Sequence, residues 1–232
     1  MHTGVTELLQ WVGKSSGIDR DVHASFSRGD AEKILSIARY LVATGGNSLP
    51  RLESWQIMHE LPYREGISQD VYGALFHAIG QNEDGVQAYF RSRSSVLKSK
   101  PVIAFDSTTI STYSENQSEA RRGFNKDRDG LDTIKLLTLF SVKEREPIAF
   151  AKQPGNVPDV ISIENALKQI RCLDIDRPMV VTDNGYYSHD NMMEFTRRNI
   201  RFLTLADADV KWIRKVIDEL RDTVALTSHI CP

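Results

Sequence analysis

Two aspartates that each follow a short apolar run are the residues of this sequence best suited to chemistry. Asp183 lies in VVTDNGYYS (residues 180–188), and Asp106 lies in PVIAFDSTTIS (residues 101–111). Brief β-branched runs bounded by turn residues predict buried strands. We therefore expect both aspartates at the carboxyl ends of strands, which is where open α/β sheets bind their ligands.

The pairing of two such carboxylates predicts a cation. Neighbouring strands lie about 4.8 Å apart, and two negative charges that close repel each other unless a cation lies between them. A hard divalent ion with oxygen ligands removes the repulsion, and two ions about 4 Å apart form a clamp for phosphoryl transfer. The alternative for Asp183 is an Asx-turn, or a cap of the helix predicted from about Ser188 to Asn199.

Length and composition favour a cytosolic protein with one catalytic domain and a small companion. The chain has 232 residues, of which 41% are hydrophobic. No apolar run approaches the roughly 18 residues of a membrane span, and the region after Met1 lacks the apolar core of a signal peptide. Cys172 and Cys231 lack metal-ligand spacing, so we expect reduced thiols and no zinc.

The distribution of charge matters more than its sum. The net charge of -2 is a mild argument against nucleic-acid binding. Between residues 89 and 128, however, basic side chains outnumber acidic ones and form a basic belt beside Asp106. Its members are Arg91, Arg93, Lys98, Lys100, Arg121, Arg122, Lys126 and Arg128. A solvated surface run is the alternative interpretation of this segment.

Residues 1–98 are predicted to form a small all-helical region. Helical apolar spacing indicates helices over residues 30–44, from Ser68 to Gly80, and over residues 83–96. Short helices with tight turns suit a helix-turn-helix-like DNA binder or a helical cap on the next domain. The pattern alone does not choose between them.

Residues 99–232 are predicted to form an α/β domain. A polar loop should follow Asp106 as far as Asp132, and a hairpin should occupy residues 135–156. Next we expect a helix at 161–170, a strand at 179–183, a helix at 188–199, a strand at 201–205 and a helix at about 212–221. This order predicts a mixed sheet with flanking helices.

Three pieces in this order resemble the DDE-class insertion-sequence transposases, specifically insertion-sequence group four and its relatives. They are IAFDSTTIS around Asp106, QPGNVPDVISIENAL (residues 153–167), and VVTDNGYYS around Asp183. The resemblance covers about residues 100–206 and implies a ribonuclease-H-like catalytic domain. Asp-Ser-Thr-Thr alone is a weak signal, whereas the three pieces in sequence are specific.

The resemblance implies a metal-dependent DNA strand transferase. Asp106 and Asp183 match the first two acidic residues of the family, which would bind two Mg²⁺ or Mn²⁺ ions. The implied partner is double-stranded DNA, both transposon ends and target, bound by a homo-oligomer in the cytoplasm at the nucleoid. Arg121, Arg122 and Lys126 are the expected DNA-contacting residues.

The sequence departs from the family at the third carboxylate. The family places it in a Tyr-x2-Arg-x3-Glu-x6-Lys pattern, but no tyrosine follows Tyr187. Glu219 and Asp222 are stand-in candidates, although a solvated helix face is the simpler interpretation of both. We therefore expect a catalytic domain incomplete at its C-terminus. A non-catalytic DNA-binding remnant and a ribonuclease-H-like nuclease remain alternative functions.

Overall fold

The computed structural model describes residues 4–46, 48–97, 99–114, 116–123, 125, 128–205 and 208–223. The chain divides into two compact units, Met1–Val96 and Leu97–Pro232. Within the described residues, no helix combines the length and the apolar character needed to cross a membrane.

The first unit is all helical, as predicted. Its α-helices are α1 (Gly4–Ser15), α2 (Ile18–Ser25), α3 (Arg28–Thr44), α4 (Leu52–Gln56), α5 (Gln69–Gln81) and α6 (Glu83–Ser94). The three predicted helices are confirmed as α3, α5 and α6. The predicted end at Gly80 was wrong, because α5 continues through Gly80 to Gln81.

Local chemistry explains the ends of α3. Ser27 accepts a hydrogen bond from the Asp30 backbone N–H at its start, and Gly45 ends it in the left-handed conformation with φ of 67°. Between these ends the apolar stripe of α3 contributes Ile37 and Tyr40 to a core that also contains Leu52, Leu61, Ile67 and Leu75.

The second unit contains a five-stranded mixed sheet with helices. Its elements are β1 (Val102–Thr112), β2 (Asp132–Ser141), β3 (Glu146–Pro154), α7 (Asp159–Cys172), β4 (Met179–Thr182), α8 (His189–Arg197), β5 (Arg201–Thr204) and α9 (Lys211–Leu220). The strand order is β3-β2-β1-β4-β5. Strands β1, β4 and β5 are parallel, and β2 runs antiparallel to β1 and to β3. The predicted order of elements and the ribonuclease-H-like mixed sheet are confirmed.

Strand β1 is longer than the sequence pattern indicated. The apolar run ends at Phe105, but the strand continues through Asp106 to Thr112. Its second half is rich in β-branched residues, and it pairs with β2 along its whole length, as far as Thr112 opposite Asp132. The prediction that Asp106 ends a strand was therefore wrong, and the following loop is shorter than expected.

The core of the second unit lies between β1, its neighbouring strands and α7. Ile103 and Phe105 of β1 and Val180 of β4 are buried. Strand β2 contributes Leu137 and Leu139, and α7 contributes Ile163, Ala166, Leu167 and Ile170. Burial of each large side chain stabilises the fold by about 1.5–3 kcal/mol. This buried core thus holds β1 and β4 in place, and with them the positions of Asp106 and Asp183.

Candidate metal centre

The parallel register of β1 and β4 brings the two predicted aspartates level with each other. Ile103 pairs with Val180 and Ala104 with Val181. Continuing this register by two residues sets Asp106 beside Asp183. Both side chains are exposed, so both carboxylates remain accessible to water and to a ligand.

Asp183 directly follows β4, as predicted, and it also forms the turn that was considered as the alternative. Its Oδ1 accepts a hydrogen bond of 3.0 Å from the Gly185 backbone N–H, which starts a short 3₁₀ turn over Asn184–Tyr186. The Thr204 hydroxyl donates to the Asp183 carbonyl oxygen at 3.0 Å. These bonds fix the backbone and one carboxylate oxygen, and in the part of the chain described here Oδ2 accepts no hydrogen bond.

Asp106 has the same arrangement. Its Oδ1 accepts a hydrogen bond of 2.7 Å from the Ser107 backbone N–H, and its Oδ2 makes none with the described residues. The ladder between β1 and β4 ends at Ala104 opposite Val181. Beyond that point β1 continues without pairing to β4, and the turn after Asp183 lies beside it, with Tyr186 against Phe105.

A third carboxylate, which the sequence analysis missed, lies next to this part of β1. Asp159 is the first residue of α7, and its Oδ1 accepts a hydrogen bond of 2.8 Å from the Ser107 hydroxyl. The ammonium group of Lys135 donates to the same oxygen at 2.6 Å and to the Val157 carbonyl at 2.5 Å. The Lys135 side chain is 7% exposed and the Asp159 side chain 42%.

The Asp159 carboxylate also faces Asp183 across Gly185. A Cβ built on Gly185 would stand 3.3 Å from Oδ1 of Asp183 and 3.6 Å from Oδ2 of Asp159. Because both distances start from one point, their sum is an upper limit for the separation of these two oxygens. A side chain at position 185 would contact both carboxylates.

Tyr186 is buried beside these carboxylates. It is 1% exposed, and its ring contacts Phe105 with the centroids 4.9 Å apart. Its hydroxyl makes no hydrogen bond of regular geometry with the described residues, although the Ser107 side chain is within its reach. Burial raises the pKa of Tyr186. Hydrogen bonding with the Ser107 side chain lowers this pKa in part, and the negative charges of Asp159, Asp106 and Asp183 raise it further. A buried, unsatisfied hydroxyl costs about 1–3 kcal/mol, so this group stands ready for a polar ligand.

The residues present suit a hard divalent cation, although they do not form a closed ligand cage. Asp106 and Asp183 supply exposed carboxylate oxygens in register, which is the donor type that Mg²⁺ and Mn²⁺ prefer. Within the described ranges, no group of three acidic, histidine or cysteine side chains is close enough to enclose a metal. Glu219 is exposed and lies 3.8 Å from Lys215, and Asp222 is also exposed. Glu219 fits the solvated helix face considered from the sequence, whereas Asp222 lies in the turn after the end of α9.

The predicted DNA-contacting arginines lie on the surface near the start of β2. Arg121 forms a backbone bridge with Thr133, and both Arg121 and Arg122 are exposed. Lys126, the third residue of that prediction, lies outside the described residues.

Comparison with known sequences identifies the family. Residues 97–227 match the family described as Transposase DDE domain, which is more than half of the chain. The chain therefore belongs to the DDE transposase family, and the resemblance stated from its motifs is confirmed. No curated protein matched the sequence.

Solved structures similar to this chain include transposases and an integrase. The piggyBac transposase synaptic complex with hairpin DNA has a TM-score of 0.47 at 12% identity, covering 81% of this chain and 44% of that chain. The Mos1 transposase paired-end complex with the left transposon end has a TM-score of 0.32 at 11% identity, with coverages of 80% and 70%. The HTLV-2 integrase catalytic core domain in complex with magnesium has a TM-score of 0.32 at 14% identity, with coverages of 57% and 80%. The chain thus spans less than half the length of the piggyBac chain.

Proposed function

We propose that this protein is a transposase that cleaves and transfers DNA strands at the ends of an insertion sequence, using Mg²⁺ or Mn²⁺. The observation that supports the proposal is the parallel register of β1 and β4, which pairs Ala104 with Val181 and, when continued by two residues, aligns Asp106 with Asp183 at the carboxyl end of β4. Membership of the DDE transposase family supports it, as does the divalent-metal dependence of that family.

The two aspartates hold and orient the cations in this account. Each uses one carboxylate oxygen to bind its own backbone turn, through Ser107 or Gly185, and keeps the other for a ligand. When bound, a pair of divalent ions activates the attacking oxygen and stabilises the leaving oxygen of the scissile phosphate. The protein contributes position and charge, and the sheet behind the aspartates keeps both carboxylates in place.

The DNA would lie along the surface of the second unit that carries Arg121 and Arg122. Arg93, which the sequence analysis included in the basic belt, is buried against Asp21 and does not belong to this surface. Exposed arginines bind phosphate oxygens with paired N–H groups, and both side chains are exposed on the polypeptide that joins β1 to β2. We place the protein at the nucleoid, bound to transposon ends and target as a homo-oligomer. Lys126 is also expected, from the sequence, to contact DNA.

A plasmid assay tests the proposal. The full chain is incubated with supercoiled plasmid carrying the DNA that flanks its gene, in Mg²⁺ or Mn²⁺, with Asp183→Asn as the inactive variant. Asp190→Asn is the matched control, because Asp190 is an exposed acid in the first turn of α8. We expect metal-dependent nicking by the wild type and the control and none by Asp183→Asn.

Two further results distinguish the alternatives. Joining of a labelled 3′-hydroxyl end to target DNA separates a transposase from a ribonuclease-H-like nuclease, which would cut without joining. DNA binding with no cleavage in either metal would contradict the proposal and identify a non-catalytic DNA-binding remnant.

A further inference from the structure

We propose that Asp159 is a third carboxylate of the metal site and contacts the cation through a metal-bound water. This inference rests on the proposed function, because it needs a cation at Asp106 and Asp183. It assigns a site residue to the start of α7.

Asp159 is held in a fixed position by three parts of the fold. Its Oδ1 accepts hydrogen bonds from Lys135 on β2 and from Ser107 on β1, while α7 carries its backbone. Lys135 is itself buried and fixed by the Val157 carbonyl. A carboxylate held in this way is preorganised for a ligand on its other side.

The other side of Asp159 faces the aspartate pair. No described residue donates a hydrogen bond to its Oδ2, which lies 3.6 Å from the place of a Cβ on Gly185, beside Oδ1 of Asp183. Ser107, which binds Oδ1 of Asp159, is also the residue whose backbone N–H binds Asp106. Asp159 is therefore linked to Asp106 through Ser107 and lies near Asp183.

The buried hydroxyl of Tyr186 independently indicates a polar ligand at this place. It makes no hydrogen bond of regular geometry with the described residues, although the Ser107 side chain is within its reach, and it lies within electrostatic reach of Asp106, Asp159 and Asp183. A neutral hydroxyl can donate a hydrogen bond to a metal-bound water or to a carboxylate that shifts when the metal binds.

A water-mediated contact fits the spacing of the carboxylates. No three acids in the described residues are close enough to ligate one ion directly. Mg²⁺ keeps several of its waters when it binds to proteins, so a more distant carboxylate acts by accepting hydrogen bonds from those waters. Outer partners of this kind typically change metal affinity by about 10-fold to 100-fold.

The competing explanation is that Asp159 only neutralises the buried Lys135. Asp159→Asn would then destabilise the unit by leaving a buried cation unpaired, and metal binding would fall for that reason alone. The variant Lys135→Met removes this objection, because it replaces the buried cation with an apolar side chain of similar length. The partly exposed Asp159 carboxylate remains hydrated in that background.

Calorimetric titration with Mn²⁺ of four full-length proteins tests the inference: wild type, Asp159→Asn, Lys135→Met, and the double variant. We expect Asp159→Asn to weaken Mn²⁺ binding by about tenfold or more, both in the wild type and in the Lys135→Met background. Lys135→Met alone removes one anchor of Asp159 together with a nearby positive charge, so its own affinity is the reference for the double variant. Thermal unfolding without metal identifies any variant that fails to fold.

The result that would overturn the inference is equal Mn²⁺ affinity of Lys135→Met and the double variant, which would show that Asp159 serves Lys135 alone. Asp183→Asn is titrated alongside, and loss of binding in this variant while Asp159→Asn binds normally would refute the third carboxylate but keep the proposed function. Absence of Mn²⁺ binding by the wild type would contradict both.

Discussion

At the scale of single residues, Asp183 shows that one carboxylate can shape a turn and still present an oxygen to a ligand. Its Oδ1 binds the backbone N–H of Gly185, while its Oδ2 is free of hydrogen bonds within the described part of the chain. The turn and the metal site were competing interpretations of the sequence. The two are compatible, because the turn uses only Oδ1 of the carboxylate and leaves Oδ2 for a ligand.

Removal of either aspartate should leave the fold intact. Asp106→Asn and Asp183→Asn change exposed side chains in front of a buried core, so we expect the free energy of unfolding to change by less than about 0.5 kcal/mol. The asparagine oxygen can still accept the local backbone hydrogen bond. Urea unfolding in the absence of metal checks this, and a loss of several kcal/mol would show that the aspartates are structural.

The buried Asp21 should make the first unit sensitive to acid. Burial opposes ionisation of this carboxyl, but hydrogen bonds from Arg93, Arg20 and Ser92 outweigh it and lower its pKa. Because the pKa is lower in the folded state, the stabilisation is fully present above the unfolded pKa of about 3.9 and is lost as pH falls below it. Melting temperatures of the wild type between pH 2.5 and 6 should therefore fall at the acid end.

Asp21→Asn tests the origin of this effect. Arg93 donates to Asp21 at 2.8 Å and is itself buried, so the variant should lose about 3 kcal/mol at pH 7 and show a weaker dependence on acid. Asp70→Asn, at an exposed position in the first turn of α5, is the control. An acid dependence in Asp21→Asn that matches the wild type would refute the assignment.

At the scale of elements, the Pro154-Gly155-Asn156 segment connects β3 to α7 and so positions Asp159. Gly155 is buried against the backbone of Thr133, where a Cβ would overlap with the Thr133 carbonyl oxygen. The same glycine donates its N–H to the Glu119 carbonyl at 3.3 Å. Close backbone approach, rather than an unusual φ, therefore requires glycine at this position.

Gly155→Ala should destabilise the second unit and displace the start of α7. We expect a loss of about 1–3 kcal/mol, because the overlap is with backbone that cannot move aside easily. Gly73→Ala is the control, since Gly73 lies in α5 with open space around it, and alanine favours a helix there. Unchanged thermal unfolding of Gly155→Ala would contradict this account of the segment.

The spacing of apolar residues predicted the helices and strands that nearby residues determine. It failed for features that depend on pairing between segments far apart in the chain. The apolar runs and turn residues were enough to predict β4, α7, α8 and the β2–β3 hairpin. The extension of β1 beyond Phe105 depends on pairing with β2, which no local pattern reveals. Asp159 was missed for the same reason, because a lone acid after Pro158 resembles an ordinary helix start, and its partner Lys135 is 24 residues away.

At the scale of the whole molecule, the chain combines an all-helical unit with a DDE transposase domain. Its net charge of -2 gives no general attraction to DNA, so binding has to rely on a local concentration of basic side chains. The exposed Arg121 and Arg122 are the described part of the surface that we propose for this role. Such binding should depend strongly on salt.

Arg121→Ala/Arg122→Ala should weaken binding to duplex DNA and reduce its dependence on salt. If both arginines contact phosphate, the slope of log affinity against log salt should fall by about 2. Fluorescence anisotropy at several salt concentrations measures it. Lys143→Ala/Arg145→Ala removes the same charge from the exposed turn between β2 and β3, and an equal effect of the two double variants would refute a localised DNA surface.

The central claim is that Asp106 and Asp183 together hold a divalent cation, and Mn²⁺ titration of the full chain tests it most directly. The proteins compared are wild type, Asp106→Asn, Asp183→Asn and the exposed control Asp190→Asn. We predict saturable binding by the wild type and the control, and its loss in both site variants. Binding that survives in Asp106→Asn and Asp183→Asn would contradict the account, because the cation would then lie elsewhere on the molecule.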